Sequence, residues 1–293
     1  LEEPPLVPLA WGWGGEYRLG TGSDRLEAWP RYLHPNFQAS GRRLVDLAAG
    51  KRHTLFVTDT GLVLSVGEGL GWQLGTISMF SAYSVPRTVQ RLPKQVQPSG
   101  HLKAGKDYQV VQAAAGDTFS ITREANGEDA AQAVEGFLWM KTSVKMLVEQ
   151  STSFSTLSEL WEHILEEERT LHRRFEARNG RLMAWGTGKR GELGLGAGVE
   201  ERRTPALIRA LHGESVRTVV AGASHVLCVT LDGKVYSWGS GHDGRLGHGD
   251  YKDRWEPCRV RELRTENIAL VATGTAHSMA VSLPHSIYVW GRG

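Results

Sequence analysis

One stretch of the chain recurs at a fixed spacing, and this repeat limits the possible folds more than any other feature. Its clearest copy is AGASHVLCVTLDGKVYSWGSGHDGRLGHG, residues 221–249. A Gly-x-x-His corner opens the copies at Gly50, Gly222 and Gly274, and 16 residues after each of these glycines comes the first residue of a Trp-Gly or Val-Gly pair. The clear Trp-Gly pairs recur every 52 or 53 residues. A period of this length predicts a propeller or a solenoid.

Less regular copies share the same positions. Gly116 opens a fourth corner in which Phe119 replaces the histidine, and a Leu-Gly pair follows each Trp-Gly or Val-Gly pair after eight residues where the copy extends that far. Because these residue types recur in register, we assign them structural roles in the repeat. The positions are Gly50, His53, Gly116, Trp185, Gly222, His225, Trp238, Gly274, His277 and Trp290.

Each unit has the pattern of β-strands. Residues 226–230 and 234–238 flank Asp232-Gly233, and such an Asp-Gly supplies the positive φ of a tight hairpin turn. A small sheet of this kind cannot bury both of its faces alone, so each unit must pack against its neighbours. The sequence therefore predicts an all-β protein of four-stranded blades, with the corners near a central axis.

These residues resemble the regulator of chromosome condensation repeat family. The resemblance rests on GASHVLCVTLDGKVYSWGSGHDGRLGHG, GKRHTLFVTDTGLVLSVGEGLGWQLG, GTAHSMAVSLPHSIYVWGRG and MAWGTGKRGELGLGAG, and it covers 1–122 and 179–293. It implies a seven-bladed β-propeller. Some members are guanine-nucleotide exchange factors for a Ran-type GTPase on chromatin, many others are interaction or scaffold modules, and some work in mitochondria. The resemblance thus implies the fold more strongly than the function.

The period breaks after Thr122. Gly116 and Trp185 are 69 residues apart, where the repeat requires 16, so 53 residues are inserted at a hairpin turn. We therefore divide the chain into propeller repeats at 1–122, an insertion at 123–178 and further repeats at 179–293. Apolar residues at helical spacing predict helices in the insertion. About four and a half units remain without it, and from this count we expect further chain before Leu1 or after Gly293. The alternative is a smaller or open ring.

The insertion holds large apolar side chains and a basic pair, which we interpret as a docking element for a protein partner. The residues chosen are Trp139, Met140, Trp161, Leu165, Arg173 and Arg174. The alternative is that the apolar residues pack on each other or on the side of the propeller.

The sequence gives no sign of an enzyme site, and we expect no catalytic residue, cofactor or metal site. Residues 100–106 have the glycine and lysine spacing of a P-loop, but a strand pattern follows where that motif needs a helix. His53, His225 and His277 hold one position in different units, so the fold separates them, and we interpret them as structural corners.

Composition limits the partners and the compartment. A net charge of +2 gives no basis for broad nucleic-acid binding, although 25 arginines against 9 lysines leave a local or indirect contact open. No apolar run reaches the length of a membrane span. Two cysteines and no Asn-x-Ser/Thr site favour an intracellular protein, in the mitochondrion, nucleus or cytosol.

Two functions remain open from the residues alone. The first is a non-enzymatic interaction or assembly scaffold that binds protein partners and can belong to a large complex. The second is a guanine-nucleotide exchange factor, whose partner would be a small GTPase. The long insertion is unlike the short β-type wedge of the exchange factors in the family, so we transfer no catalytic residue from them.

Overall fold

The computed structural model describes most of the repeats and none of the central part of the insertion. The described residues are 9–19, 21, 24–32, 44–76, 82–89, 108–126, 180–283 and 286–292. They form seventeen β-strands and four single-turn 3-10 helices, and no α-helix occurs among them. Within this part of the chain no helix is long and apolar enough to cross a membrane. The predicted helices and the six partner residues of the insertion lie outside the described residues, as does the P-loop-like segment.

The strands form five antiparallel sheets in chain order. Sheet 1 contains β1 (Leu9–Trp13) and β2 (Leu26–Tyr32), and sheet 2 contains β3 (Leu44–Ala49), β4 (His53–Thr58), β5 (Val63–Glu68) and β6 (Ala82–Thr88). Sheet 3 contains β7 (Tyr108–Ala115), β8 (Phe119–Asn126), β9 (Arg181–Thr187) and β10 (Glu201–Leu207). Sheet 4 contains β11 (Val216–Ala221), β12 (His225–Thr230), β13 (Val235–Gly239) and β14 (Arg254–Arg259), and sheet 5 contains β15 (Asn267–Thr273), β16 (His277–Leu283) and β17 (Ile287–Gly291). The short 3-10 helices are Gly15–Tyr17, Arg209–Leu211, His242–Gly244 and Arg261–Leu263.

The sheets pack face to face in sequence, which is the arrangement of blades in a β-propeller. The first strands β3, β7, β11 and β15 contact one another from sheet to sheet, so they form the inner side. Apolar side chains fill each junction: Leu55 and Trp185 between sheets 2 and 3, Ile121 and Trp238 between sheets 3 and 4, and Leu227 between sheets 4 and 5. The all-β propeller expected from the repeat is confirmed, with four strands in sheets 2, 3 and 4.

The two faces of the propeller carry different connections. The Gly-x-x-His corners join the first and second strands on one face, which we call the corner face. Hairpin turns join the second and third strands on the opposite face. Gly233 has φ of +79° in one of these turns, where a Cβ would strike Asn267 of sheet 5, so glycine is required there.

The insertion connects two neighbouring strands of sheet 3. β8 and β9 pair antiparallel, and Glu124 lies in register with Arg181. Asn126 and Gly180, the described residues on either side of 127–179, therefore lie at neighbouring strand ends on the face opposite the corners. Whether the insertion is helical stays a prediction.

Candidate functional site

The corner histidines hold adjacent sheets together. The amide of Gly222 donates to the carbonyl of His225 at 2.9 Å, and a Cβ at Gly222 would overlap the imidazole. His225 Nε2 lies 2.9 Å from the hydroxyl of Ser278 in sheet 5. Ser278 donates its single proton to the carbonyl oxygen of Arg245 at 2.7 Å, so it accepts from His225, which places the imidazole proton on Nε2.

The tryptophan of the repeat joins this network from the next sheet. Trp290 Nε1 donates to the same carbonyl of Arg245 at 2.9 Å. Gly247 makes room for that indole, because a Cβ there would lie 2.9 Å from Nε1. The Leu-Gly loop of one sheet thus receives the tryptophan and the serine of the next, and this contact requires the spacing seen in the sequence.

Sheets 2 and 3 repeat the arrangement. His53 Nε2 lies 2.8 Å from Ser120 Oγ, and both Ser120 and Trp185 donate to the carbonyl of Gln73, at 2.8 and 2.9 Å. Burial lowers the pKa of His53 to about 3, and it lowers that of His225 to about 4 with help from the charge of Arg245. Both imidazoles are therefore neutral at pH 7.

The junction of sheets 3 and 4 lacks this polar pair. Phe119 occupies the histidine position, and Val226 occupies the serine position. Both side chains are buried in one apolar cluster, while Trp238 Nε1 still donates to the carbonyl of Glu192 at 3.0 Å. The tryptophan contact is thus common to the three junctions, whereas the histidine and serine occur together or not at all.

The corner face carries a groove of about 640 Å³ across sheets 3, 4 and 5, which we call the loop groove. The corner loops and the loops after the Trp-Gly pairs line it together. Its lining residues are mostly polar or charged: Asp117, Thr118, Thr187, Lys189, Arg190, Glu192, Ala223, Ser224, Ser240, His242, Asp243, Arg245 and Arg292.

Charges in the loop groove are of two kinds. Arg245 is fixed, since it donates to Asp243 Oδ2 at 2.7 Å and to Ser224 Oγ at 2.8 Å. By contrast, the side chains of Lys189, Arg190 and Arg292 are exposed, and none of the three forms an ion pair within the described part of the chain. The groove therefore offers exposed cations that form no ion pair within the described residues.

Acidic residues in the loop groove are held by the fold. Glu192 is buried and accepts the amide of Arg190 at 2.8 Å. Burial raises the pKa of Glu192, and its backbone hydrogen bonds act in the opposite direction. Asp117 pairs with Lys51 of sheet 2 at 3.5 Å. These anions support the loops and leave the exposed cations accessible to an anionic surface.

An aromatic residue in a strained conformation lies on the same face. Trp72, in the loop after β5, has φ of +62°, in the left-handed region that glycine prefers. Arg203 of sheet 3 stacks over its ring at 4.3 Å, and nearby Leu70 is exposed. Tyr17, Gly191 and Gly244 hold the same position in other copies and also have positive φ, so this conformation belongs to the loop of the repeat.

The structure places the sequence-assigned positions at the sheet junctions rather than in the groove. Gly50, Gly116, Gly222 and Gly274 all turn at the corners, and the imidazole or phenyl ring three positions along covers each glycine. Within the described residues no group of three His, Cys, Asp or Glu could hold a metal ion. The repeat pattern did not reveal Ser120 and Ser278, although each directly follows a corner residue in its own copy.

Comparisons with known proteins agree with this architecture. The family model of the regulator of chromosome condensation (RCC1) repeat matches residues 9–57, 179–229 and 232–281, and a second model of the same repeat matches residues 216–245. The matched segments make up half of the chain. The protein therefore belongs to the RCC1 repeat family, as the spacing of its corners and tryptophans indicated.

Individual proteins that resemble this chain have low sequence identity to it or match only part of it. The ultraviolet-B receptor UVR8 of Arabidopsis thaliana is 28% identical over 97% of this chain and 60% of the receptor. The human E3 ubiquitin-protein ligase HERC2 is 38% identical over 39% of this chain and 2% of the ligase. The crystal structure of human WBSCR16 superposes with a TM-score of 0.64 at 18% identity, covering 97% of this chain and 60% of that one. The chain thus spans 60% or less of the length of these relatives, and the structural likeness shows the fold alone.

Proposed function

We propose that this protein is a non-enzymatic interaction or assembly scaffold, with the loop groove as one contact surface for a protein partner. The observation that carries the proposal is a difference between the polar groups inside the propeller and those in the loop groove. Histidines and serines inside the propeller are used to join sheets, as at His225 and Ser278. Lys189, Arg190 and Arg292 in the loop groove have no comparable role, and their charge suits an acidic surface on a partner.

The insertion is the second proposed contact surface. Because β8 and β9 pair up to Glu124 and Arg181, the sheet closes without residues 127–179. We divide the chain into repeats at 1–122, an insertion at 123–178 and further repeats at 179–293. Residues 123–126 of the insertion complete strand β8, so the proposed helical arm begins after them. We assign the partner contact on this arm to Trp139, Met140, Trp161, Leu165, Arg173 and Arg174. The arm leaves the face opposite the loop groove, so the scaffold can hold two partners at once, as a component of a larger complex requires.

The cellular setting follows from the same proposal. Cys228 and Cys258 are free thiols, which suits a reducing compartment. We therefore place the scaffold inside the cell, with protein partners. The matching segments of UVR8 and HERC2 lie in longer proteins of different kinds, so the repeats support more than one activity.

A charge-reversal pair tests the loop groove. Arg190→Glu changes an exposed cation in the groove, and Arg209→Glu makes the same change at an exposed position outside it. Partners recovered by affinity purification and quantified by mass spectrometry should be depleted at least tenfold with Arg190→Glu and retained with Arg209→Glu. Equal recovery with both variants would show that the groove is not a contact surface.

Removal of the arm tests the second surface. An Asn-Gly turn in place of residues 125–180 joins Glu124 directly to Arg181, and their register suits a two-residue hairpin. The shortened protein should keep its circular dichroism spectrum and lose a set of partners different from the set lost with Arg190→Glu. Unfolding would show that the insertion is part of the core. Acceleration of nucleotide release from a panel of small GTPases by the full chain would replace the scaffold proposal with the exchange-factor alternative.

A further inference from the structure

A second pocket lies outside the loop groove, beside the outermost strand of sheet 4. It has a volume of about 730 Å³. We call it the arginine pocket, because four of its lining residues are Arg254, Arg259, Arg261 and Arg264. His248 and Cys258 also line this pocket. The proposed scaffold function uses none of these residues.

The arginines carry more charge than the pocket neutralises. Arg254 pairs with Asp250 at 2.8 Å, and the only other carboxylate in the lining is that of Glu262. The guanidinium groups of Arg259, Arg261 and Arg264 form no ion pair or side-chain hydrogen bond with any residue that the structure describes. Four cations and two anions leave an excess of two positive charges on the wall.

The repeat shows that the fold does not require this charge. Sheet 3 builds the same strand and 3-10 helix 52 residues earlier, with Leu207 in place of Arg259 and His212 in place of Arg264. The apolar contacts that hold the segment are kept in both copies, where Leu211 and Leu263 are buried. The fold of this segment therefore does not depend on Arg259 and Arg264.

Two of the arginines, Arg254 and Arg261, act on the same lining residue, His248. His248 Nε2 lies 3.0 Å from Ser237 Oγ, which fixes the ring at the pocket wall. Burial lowers the pKa of His248, and the charges of Arg254 and Arg261 lower it further, so both guanidinium groups act on the same ring. A neutral imidazole adds no charge to the wall, and the excess of two cations stands at pH 7.

We propose that the arginine pocket binds a phosphate monoester. Such a group carries about two negative charges at pH 7 and three acceptor oxygens, which match the excess charge and the several guanidinium donors. Arginine binds phosphate through two parallel N–H donors, and three arginines without a side-chain partner among the described residues provide more donors than one carboxylate can accept. The ester belongs either to a phosphorylated side chain of a protein or to a small organic phosphate, and both present the same dianion.

Cys258 provides a direct probe of occupancy. Its side chain is half-buried in the pocket wall, whereas Cys228, the other cysteine of the chain, is fully buried in sheet 4. N-ethylmaleimide, an uncharged reagent, should therefore modify Cys258 selectively. A ligand in the pocket should slow that modification at least fivefold, as measured by mass spectrometry of the intact chain.

The test uses the full chain and two probes, a peptide with one phosphoserine and free glycerol 3-phosphate, each compared with its dephosphorylated form. We expect the phosphorylated form of at least one probe to protect Cys258 and to bind in calorimetry at least tenfold more tightly than its unphosphorylated form. Protection by the peptide alone assigns the site to a phosphorylated protein, and protection by glycerol 3-phosphate assigns it to a small organic phosphate. Equal behaviour of phosphorylated and unphosphorylated forms would overturn the proposal.

Matched variants separate the pocket from general surface charge. Arg261→Ala removes a pocket arginine, and Arg209→Ala removes the corresponding arginine of sheet 3. Binding should fall at least tenfold with the first and stay within twofold of wild type with the second. An equal loss with both variants would show that the phosphate binds through unspecific charge, which also contradicts the proposal. Neither variant touches the loop groove, so a negative result leaves the scaffold proposal standing.

Discussion

Phe119 and Val226 meet in one apolar cluster between sheets 3 and 4, at the positions where the two flanking junctions pair His53 with Ser120 and His225 with Ser278. Both the apolar pair and the histidine–serine pair satisfy the needs of their own side chains. A histidine needs the hydroxyl of the next sheet as its partner, and a phenyl ring needs an apolar neighbour. A mixed pair would bury a polar group without its hydrogen bond, which costs about 1–3 kcal/mol.

The first prediction concerns exchange between these two solutions. Phe119→His alone should lower the free energy of unfolding, because the new imidazole faces Val226 with no acceptor. Adding Val226→Ser supplies the hydroxyl, which can donate to the carbonyl of Glu192 as Ser278 donates to that of Arg245. The double variant should therefore recover stability, with a coupling of about 1–2 kcal/mol in urea unfolding. Additive effects of the two changes on the free energy of unfolding would show that the new histidine and serine do not interact.

The second prediction concerns acid stability. His225 has a pKa of about 4 in the folded protein, against 6.5 when unperturbed. The unfolded chain therefore binds more protons between these values, and the stability contributed by the neutral histidine is lost as the pH falls from about 6.5 towards 4. Replacing the pair with the apolar one, His225→Phe with Ser278→Val, should remove this contribution.

The measurement compares unfolding free energies at pH 7 and pH 4.5. Wild type should lose up to about 2.5 kcal/mol more than the double variant across this range, since about two pH units lie below the unperturbed pKa and one unit corresponds to about 1.4 kcal/mol. Gly222 can accept the phenyl ring, because Gly116 already lies beneath Phe119 in the same geometry. Parallel pH profiles for the two proteins would show that His225 does not govern acid stability.

The third prediction compares two glycines at positive φ. Gly233 has φ of +79° and packs against Asn267, whereas Gly198 has φ of +82° and open space around it. Valine at Gly233 should destabilise through both strain and overlap, and valine at Gly198 through strain alone, which costs about 1–2 kcal/mol. Arg202→Ala, at an exposed strand position, should change the thermal midpoint least. Equal midpoints for the two glycine variants would exclude the overlap.

The sequence predicted those parts of the fold whose residues meet at fixed distances along the chain. Trp238 recurs because its indole must reach the loop carbonyl of Glu192, and Gly194 recurs because a Cβ there would lie 2.7 Å from Trp238 Nε1. Such requirements produce a period that can be counted. The repeat could therefore be recognised from the spacing of glycine, histidine and tryptophan, and the strand pattern between these residues predicted the sheets.

The surface sites could not be predicted in the same way. Lys189 and Arg190 follow β9 of sheet 3, whereas Arg292 follows β17 of sheet 5, and only the packing of the sheets places all three in one groove. Arg259 and Arg264 differ from the residues at the same positions of sheet 3, but a difference between copies has no meaning until the pocket is seen. Neither these three exposed cations of the loop groove nor Arg259 and Arg264 recur at the matching positions of the other copies, so the period carries no sign of these sites.

The last prediction concerns the base of the insertion. Glu124 has a side chain that is 1% exposed, and it pairs at 3.0 Å with Arg181, which is 34% exposed. Burial raises the pKa of Glu124, and the charge and hydrogen bond of Arg181 lower it. Arg181→Met should leave a buried carboxylate without this partner and destabilise the protein by about 2 kcal/mol at pH 7, below the 3–5 kcal/mol of a fully buried pair because Arg181 is partly exposed. The pKa of the Glu124 carboxylate should rise further in Arg181→Met, so the folded state takes up a proton at a higher pH than the unfolded state does. The loss of stability caused by Arg181→Met should therefore shrink as the pH falls from 7 to 5.

Glu124→Gln added to Arg181→Met should remove this pH dependence. Urea unfolding at both pH values measures the effect, and a loss in Arg181→Met that is unchanged between pH 7 and pH 5 would show that the pair does not hold the base of the insertion through its charge.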